Sequence, residues 1–160
     1  ELIHNFLKET YTILTEQNSF FAKSRIRIIQ CDNQVRMDEE VKNSRELEQL
    51  LNRFTVIGGG GTDFRPAFEY VNTLKAMGQL NGLKGLIYFT DGKGIYPVAA
   101  PVYDTAFVFI RERFCEEGFP AWAMRVVLDD NECRQKQAAA SADICFSWTI
   151  NEGSACESRQ

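Results

Sequence analysis

Apolar and polar positions recur with two different periods along this chain. In "ELIHNFLKETYTILTEQNSFF", Ile3, Leu7, Tyr11 and Leu14 fall at helical spacing with Phe6, Thr10 and Ile13 beside them. That pattern predicts an amphipathic helix at the start. The period then shortens. "RIRIIQCD" (Arg25 to Asp32) sets β-branched residues in near alternation, which predicts a strand. Asp32, Asn33 and Gln34 read as a hairpin turn into a second strand, "VRMDEEV". Ser44 is placed to cap "RELEQLLNR", a short helix with Leu47, Leu50 and Leu51 on one face. "FTVI" reads as a short strand fragment that leads into four consecutive glycines, Gly58 to Gly61.

Beyond the glycines the helical period returns. Pro66 suits a first helical turn, where its missing N–H costs nothing. Ala67, Tyr70, Val71 and Leu74 mark the face to be buried, and Gly78 ends the helix. "GLIYFTDG" (Gly85 to Gly92) is a nearly continuous apolar run that stops at a carboxylate. Such runs suit parallel strands covered on both faces. "TAFVFI" (Thr105 to Ile110) and "AMRVVL" (Ala123 to Leu128) read the same way. Strands alternating with helices predict an α/β fold: a Rossmann-like, open, mostly parallel sheet with helices on both faces and one antiparallel edge hairpin. Neither a repeat nor a linker long enough to divide the chain is present. Residues 1–128 read as one domain and 129–160 as a C-terminal extension.

Composition adds exclusions. The 160 residues are 44% hydrophobic and 25% charged, with a net charge of −4, which is ordinary for a soluble globular domain. No basic stripe is present, so nucleic acid is not an expected partner. No apolar run reaches the roughly 18 to 20 residues of a membrane span. No signal peptide opens the chain, although Glu1 is not a natural start and an upstream signal stays open. Cys31, Cys115, Cys133, Cys145 and Cys156 are odd in number and form no CxxC pair, so reduced thiols in a cytoplasmic protein are the simplest reading. With His4 as its single histidine, the chain lacks the main ingredient of a multi-histidine metal site or a Ser/His/Asp arrangement.

Candidate chemistry gathers at two places. Thr62 and Asp63 follow the glycines and open a helix; Asp91 ends the strand "LIYFT" and precedes Gly92. In an open α/β sheet, ligands sit at the carboxyl ends of strands. Glycines allow positive φ and close backbone approach, so the loop can fold over the sheet edge and aim Thr62 inward. A hydroxyl and a carboxylate on neighbouring loops suit a hard cation such as Mg²⁺ or Mn²⁺. Simpler roles stand beside this one. Asp63 is placed to cap the helix, and Asp91-Gly92 can be a plain turn. The glycines can also cradle a phosphate at the helix N-terminus, but neither G-x-G-x-x-G spacing nor a P-loop Lys-Ser/Thr is present. Lys93 reads as solvated, with contact to an acidic partner as the functional alternative, and Trp122 reads as a packing residue.

The order "GGGGTDFRPAFEYV", then "GLIYFTDGKG", flanked by "IRIIQCDNQV" and "FPAWAMRVVL", resembles the von Willebrand factor A-like (VWA-like) domains. It is most similar to the bacterial group found C-terminal in putative metallopeptidase-like proteins. The resemblance covers Glu1 to Leu128. It implies a metal-ion-dependent adhesion site (MIDAS), with Thr62 as the second-loop threonine and Asp91 as the third-loop aspartate. A divalent cation held there would take a carboxylate from a partner protein. The resemblance implies a binding module and not an enzyme, with any catalysis in another domain of a longer protein. The family's first motif, D-x-S-x-S, should end a central strand before Glu1 and has no counterpart here.

A missing central strand would leave backbone groups unpaired. "ICFSWTI" (144–150) has strand composition, and small polar residues follow it. One reading puts this segment in the first-strand position, with its end approaching Glu1 as in a circular permutation. Asn151, Glu152 or Ser154 would then face Thr62 and Asp91. The other reading is a peripheral tail. Three functions follow: a cation-binding interaction module, a metal-independent structural or assembly domain, and a phosphate- or nucleotide-handling enzyme.

Overall fold

The structure is a computed structural model of the chain. It describes residues 24–55, 63–90, 92–110, 117–128 and 143–150, and of residues 24, 110, 128 and 143–150 it describes the backbone. The helix expected over residues 1–21, the glycine run and His4 lie outside the described residues. Six strands are described: β1 (Ser24–Cys31), β2 (Val35–Val41), β3 (Leu83–Phe89), β4 (Asp104–Ile110), β5 (Met124–Leu128) and β6 (Asp143–Ile150). Two helices accompany them, α1 (Ser44–Arg53) and α2 (Arg65–Ala76).

The strands form one sheet in the order β2-β1-β6-β3-β4-β5. β3, β4 and β5 pair in parallel. β6 is antiparallel to both β1 and β3, and β2 is antiparallel to β1. So β1, β3, β4 and β5 share one direction, and β2 and β6 oppose it. This is the expected open α/β sheet with its edge hairpin, and it contains a second reversed strand at its centre.

β6 therefore occupies the slot between the hairpin and the Leu83–Phe89 strand, but it runs the wrong way for a circular permutation. Ile150 pairs with Ser24, the first residue of β1, and Thr149 pairs with Leu83, the first of β3. β6 thus ends at the edge opposite the one where β1 and β3 end. Asn151, Glu152 and Ser154, expected to face Thr62 and Asp91, lie outside the described residues, as do Thr62 and Asp91.

Strand alternation sends successive side chains to opposite faces, and each face has its own helix. On one face Ile29, Cys31, Leu86, Tyr88, Phe107 and Phe109 meet Ala67, Phe68, Val71 and Leu74 of α2. On the other, Ile26, Ile28, Phe89 and Val108 meet Leu47, Leu50 and Leu51 of α1. Each buried Leu, Ile, Val or Phe among them contributes about 1.5 to 3 kcal/mol of burial. The α2 face is aromatic. Phe107 lies within 6.4 Å, ring centre to ring centre, of Phe64, Phe68, Tyr88, Tyr96, Phe109, Phe119 and Trp122. Trp122 is thus a packing residue, as expected.

Helix ends follow local chemistry. Asn43, not Ser44, caps α1: its Oδ1 accepts the Glu46 N–H at 2.9 Å, and Glu46 Oε2 accepts the Lys42 N–H at 2.9 Å. Gly78 ends α2 with a φ of 74°. The Gln79 N–H reaches Leu74 O at 2.9 Å and the Gly78 N–H reaches Lys75 O at 3.1 Å, a Schellman arrangement. Phe68, absent from the predicted face, is buried on α2, and Tyr70 is only half-buried. "FTVI" yields no strand at Phe54 and Thr55, and Val56 and Ile57 lie outside the described residues. Among the described residues no helix is long and apolar enough to cross a membrane.

Tyr70 ties α2 to the hairpin. Its hydroxyl donates to Asp38 Oδ2, and Asp38 also accepts from Arg27 Nε and, at 3.0 Å, from Arg27 Nη2. Burial, reinforced by the Asp38 hydrogen bond, pushes the Tyr70 phenol above its usual range. A raised folded-state pKa gives stability that is complete below the unfolded value of about 10 and is lost as pH rises through the folded value. We expect Tyr70→Phe to cost about 1 to 2 kcal/mol at neutral pH. Its urea-unfolding stability should also fall less steeply than the parent's above pH ~10.

Candidate functional site

The carboxyl edge of the sheet is where β1, β3, β4 and β5 end. Thr62 and Asp91 themselves lie outside the described residues. Their chain neighbours are described, and these meet. Asp63 forms an isolated parallel bridge with Ile95, and the Phe64 N–H donates to Ile95 O at 3.0 Å. The Phe64 ring, wholly buried, lies against Gly94. A Cβ built on Gly94 would stand 2.5 Å from Phe64 Cζ and under 3 Å from both Cε atoms. The two loops singled out from the sequence are therefore joined one residue after Thr62 and four residues after Asp91.

Thr90 and Gly92, on either side of residue 91, are held by hydrogen bonds. Thr90 extends the β3–β4 ladder, its N–H donating to Val108 O at 3.2 Å. Its hydroxyl accepts the Gly92 N–H at 3.1 Å, spanning residue 91. Gly92 has a φ of 81°, a conformation that a side chain disfavours. The Tyr96 hydroxyl then donates to Gly92 O at 3.2 Å. The Asp-Gly turn is thus braced by a core aromatic.

Two other carboxylates at this end are engaged by arginine. Asp63 Oδ1 accepts the Arg65 N–H at 3.0 Å, and its two oxygens accept from Arg65 Nε and Nη2 at 2.7 to 3.2 Å. The Arg65 hydrogen bond holds the Asp63 carboxyl below the usual carboxylate range. Asp63 thus satisfies the first amide of α2, the helix-opening role expected of it, although Phe64 stands at the formal cap. Asp32, 4% exposed, accepts the Gln34 N–H at 2.9 Å and is paired with Arg36 at 3.0 Å. Among the described residues no group of three or more His, Cys, Asp and Glu gathers as a metal site would. The buried Cys31 Sγ lies 3.3 Å from the Tyr88 hydroxyl.

A groove of about 570 Å³ starts beside the turn, between Gly94–Val98 and Gly118–Trp122. Ile95 and Val98 on its wall are 53% and 98% exposed, and Lys93 is exposed beside them. Sequence reasoning missed this wall and missed Gly94. The second glycine of "TDGKG" was the available signal, since a glycine two residues after a turn glycine marks close backbone approach.

In an open α/β sheet, a ligand crevice, where one is present, lies outside the carboxyl ends of the strands. The family comparison makes this specific. The chain belongs to the family described as VWA-like domain (DUF2201), whose model matches residues 3–129. No curated protein and no solved structure matches the chain.

The Phe64–Gly94 contact is the junction of the two loops. We expect Gly94→Ala to destabilise the domain by about 1 to 3 kcal/mol, because the added methyl overlaps a wholly buried ring. Chemical denaturation of the variant beside the parent measures this. Lys93→Ala, at an exposed position next to it, should stay within about 0.5 kcal/mol of the parent.

Proposed function

We propose that this domain is a protein-interaction module that holds a divalent cation, Mg²⁺ or Mn²⁺, through Thr62 and Asp91. The observation that carries the reading is the junction just described. Asp63, Phe64, Gly94 and Ile95 bind the two loops to each other, which supports a shared site for Thr62 and Asp91. A hydroxyl and a carboxylate there offer hard oxygen donors, and Mg²⁺ needs few protein ligands because it keeps several waters. Gly58 to Gly61 give the Thr62 loop the freedom to fold over the edge. The cation would take a carboxylate from an acidic residue of a partner protein. The groove with Ile95 and Val98 on its wall supplies apolar contact area beside it.

A specific observation weighs against phosphate or nucleotide chemistry. The amide at the start of α2, where an anion would bind, is already taken by the Asp63 carboxylate. The proposed role is therefore binding, not phosphate or nucleotide handling at that helix start.

Thermal melts test the reading. A ligand that binds only the folded state raises the melting temperature by mass action. With Mg²⁺ or Mn²⁺ in excess over EDTA the parent should melt higher than in EDTA alone. The rise should vanish in Asp91→Ala and shrink in Thr62→Ala. A parent indifferent to both cations would leave the metal-independent assembly role as the reading of this domain.

A further inference from the structure

The two outer strands of the sheet are built differently. β2, at one end of the strand order, carries Arg36, Asp38, Glu39 and Glu40 within seven residues, and its register with β1 is irregular at Gln30 and Cys31. Charges and irregularities of this kind keep sheet edges from pairing with other chains. β5, at the other end, has neither device. Its sequence is MRVVL, with Arg125 as its one charge, and it pairs with β4 in unbroken register. Among the described residues no strand lies on its other side.

Exposed apolar side chains gather on the same side of the domain. Of the large hydrophobic residues exposed among those described, Met77 closes α2, and the rest belong to the β3–β4 connection and to β5: Ile95, Val98, Val102, Met124 and Val126. They are linked. Val102 and Met124 line one groove, Ile95 and Val98 line another, and Trp122 stands in the wall of both. Met124 and Val126 pair with Ala106 and Val108, so they share the α1 face. α1 covers Val108 but leaves Met124 and Val126 54% and 41% exposed. Linked apolar exposure of this kind marks an interaction surface.

We propose that β5 is the interface through which two copies of this chain join, pairing antiparallel, edge to edge, into one continuous sheet. The occupant follows from the strand itself. A two-fold interface sets the same surface of each copy against the other, so the strand must complement itself. With Val126 opposite Val126 of the second copy, all five residues pair. Arg125 then meets Val127 and Met124 meets Leu128, and no charge faces its like. A shift of two residues either way leaves fewer pairs, and in one direction it sets Arg125 against Arg125. In the full register Met124 and Val126 of both copies form one apolar strip on the shared α1 side. Five paired residues are a small interface against the roughly 1,200 to 2,000 Å² of a stable complex, so the dimer is a weak one that forms at micromolar concentration and above. The inference goes beyond the proposed cation site and needs no metal.

Sedimentation equilibrium of the full chain in EDTA, over a range of micromolar concentrations, tests this. The parent should pass from monomer to dimer. Val126→Lys sets two lysines opposite each other and should weaken dimerisation at least about tenfold, because like charges facing across an interface are strongly unfavourable. At a concentration where the parent is monomeric, this variant should melt like the parent. Met77→Lys makes the same kind of change on the hairpin side, near where Arg27 meets Gln79, and should dimerise like the parent. Amide hydrogen exchange on the parent gives a measure that needs no variant: the β5 amides that face away from β4 should gain protection as concentration rises. A parent that stays monomeric overturns the proposal. So does a dimer that survives Val126→Lys or leaves those amides unprotected. Equal protection of these amides at every concentration would mean that another segment of the same chain covers the edge, which overturns it as well.

Discussion

Backbone pairing at the centre of the sheet is the constraint on which the rest of this structure depends. β1 and β3 are buried strands with the same direction, and the space between them must be filled by hydrogen-bonding backbone. β6 fills it over the whole length of β1, from Ser24–Ile150 to Cys31–Asp143. Without it, β1 and β2 would form an isolated hairpin, which is marginal in water. β3, β4 and β5 would be left with an apolar free edge, a template for pairing with other chains. The two cores, each shared between β1 and the β3–β4 pair, would also come apart.

What fills the slot then determines what stands at its ends. A parallel strand would end at the carboxyl edge. An antiparallel one begins there. The reversal therefore puts the opening of β6, at Asp143, beside the ends of β1 and β3. Sequence alone could not decide between these directions. Alternation and β-branching reveal a strand, but a strand pattern reads nearly the same from either end.

Other features were legible because they rest on local chemistry. β1 through β5 fall within one to three residues of the apolar runs that predict them, and Gly78 stops α2 where a left-handed residue is needed. Asn43 displaced Ser44 as the α1 cap by one position, an adjustment that propensity cannot resolve between two good caps. Phe68 and Tyr70 exchanged depth for a tertiary reason: the Tyr70 hydroxyl found a charged pair on the hairpin, while Phe68 stacked on Tyr88. The site was legible as two loops, from Thr62-Asp63 and Asp91-Gly92. Their junction was not, because it runs through Phe64 and Gly94, thirty residues apart, and the closeness of a ring to a glycine Cα leaves no periodic trace.

The arginine pairs give the edge its electrostatic logic. A sheet edge that gathers several aspartates repels itself unless cations intervene. Arg36 and Arg65 neutralise Asp32 and Asp63 from within the chain, and both arginines lie close in sequence to the carboxylates they hold. Such local pairs form whatever the loops do. Asp63, for its part, ties its carboxylate to the α2 amide as well, so it cannot be recruited by a metal without opening the helix start. The division follows from connectivity: a carboxylate next to an arginine in the chain is paired locally and serves the fold.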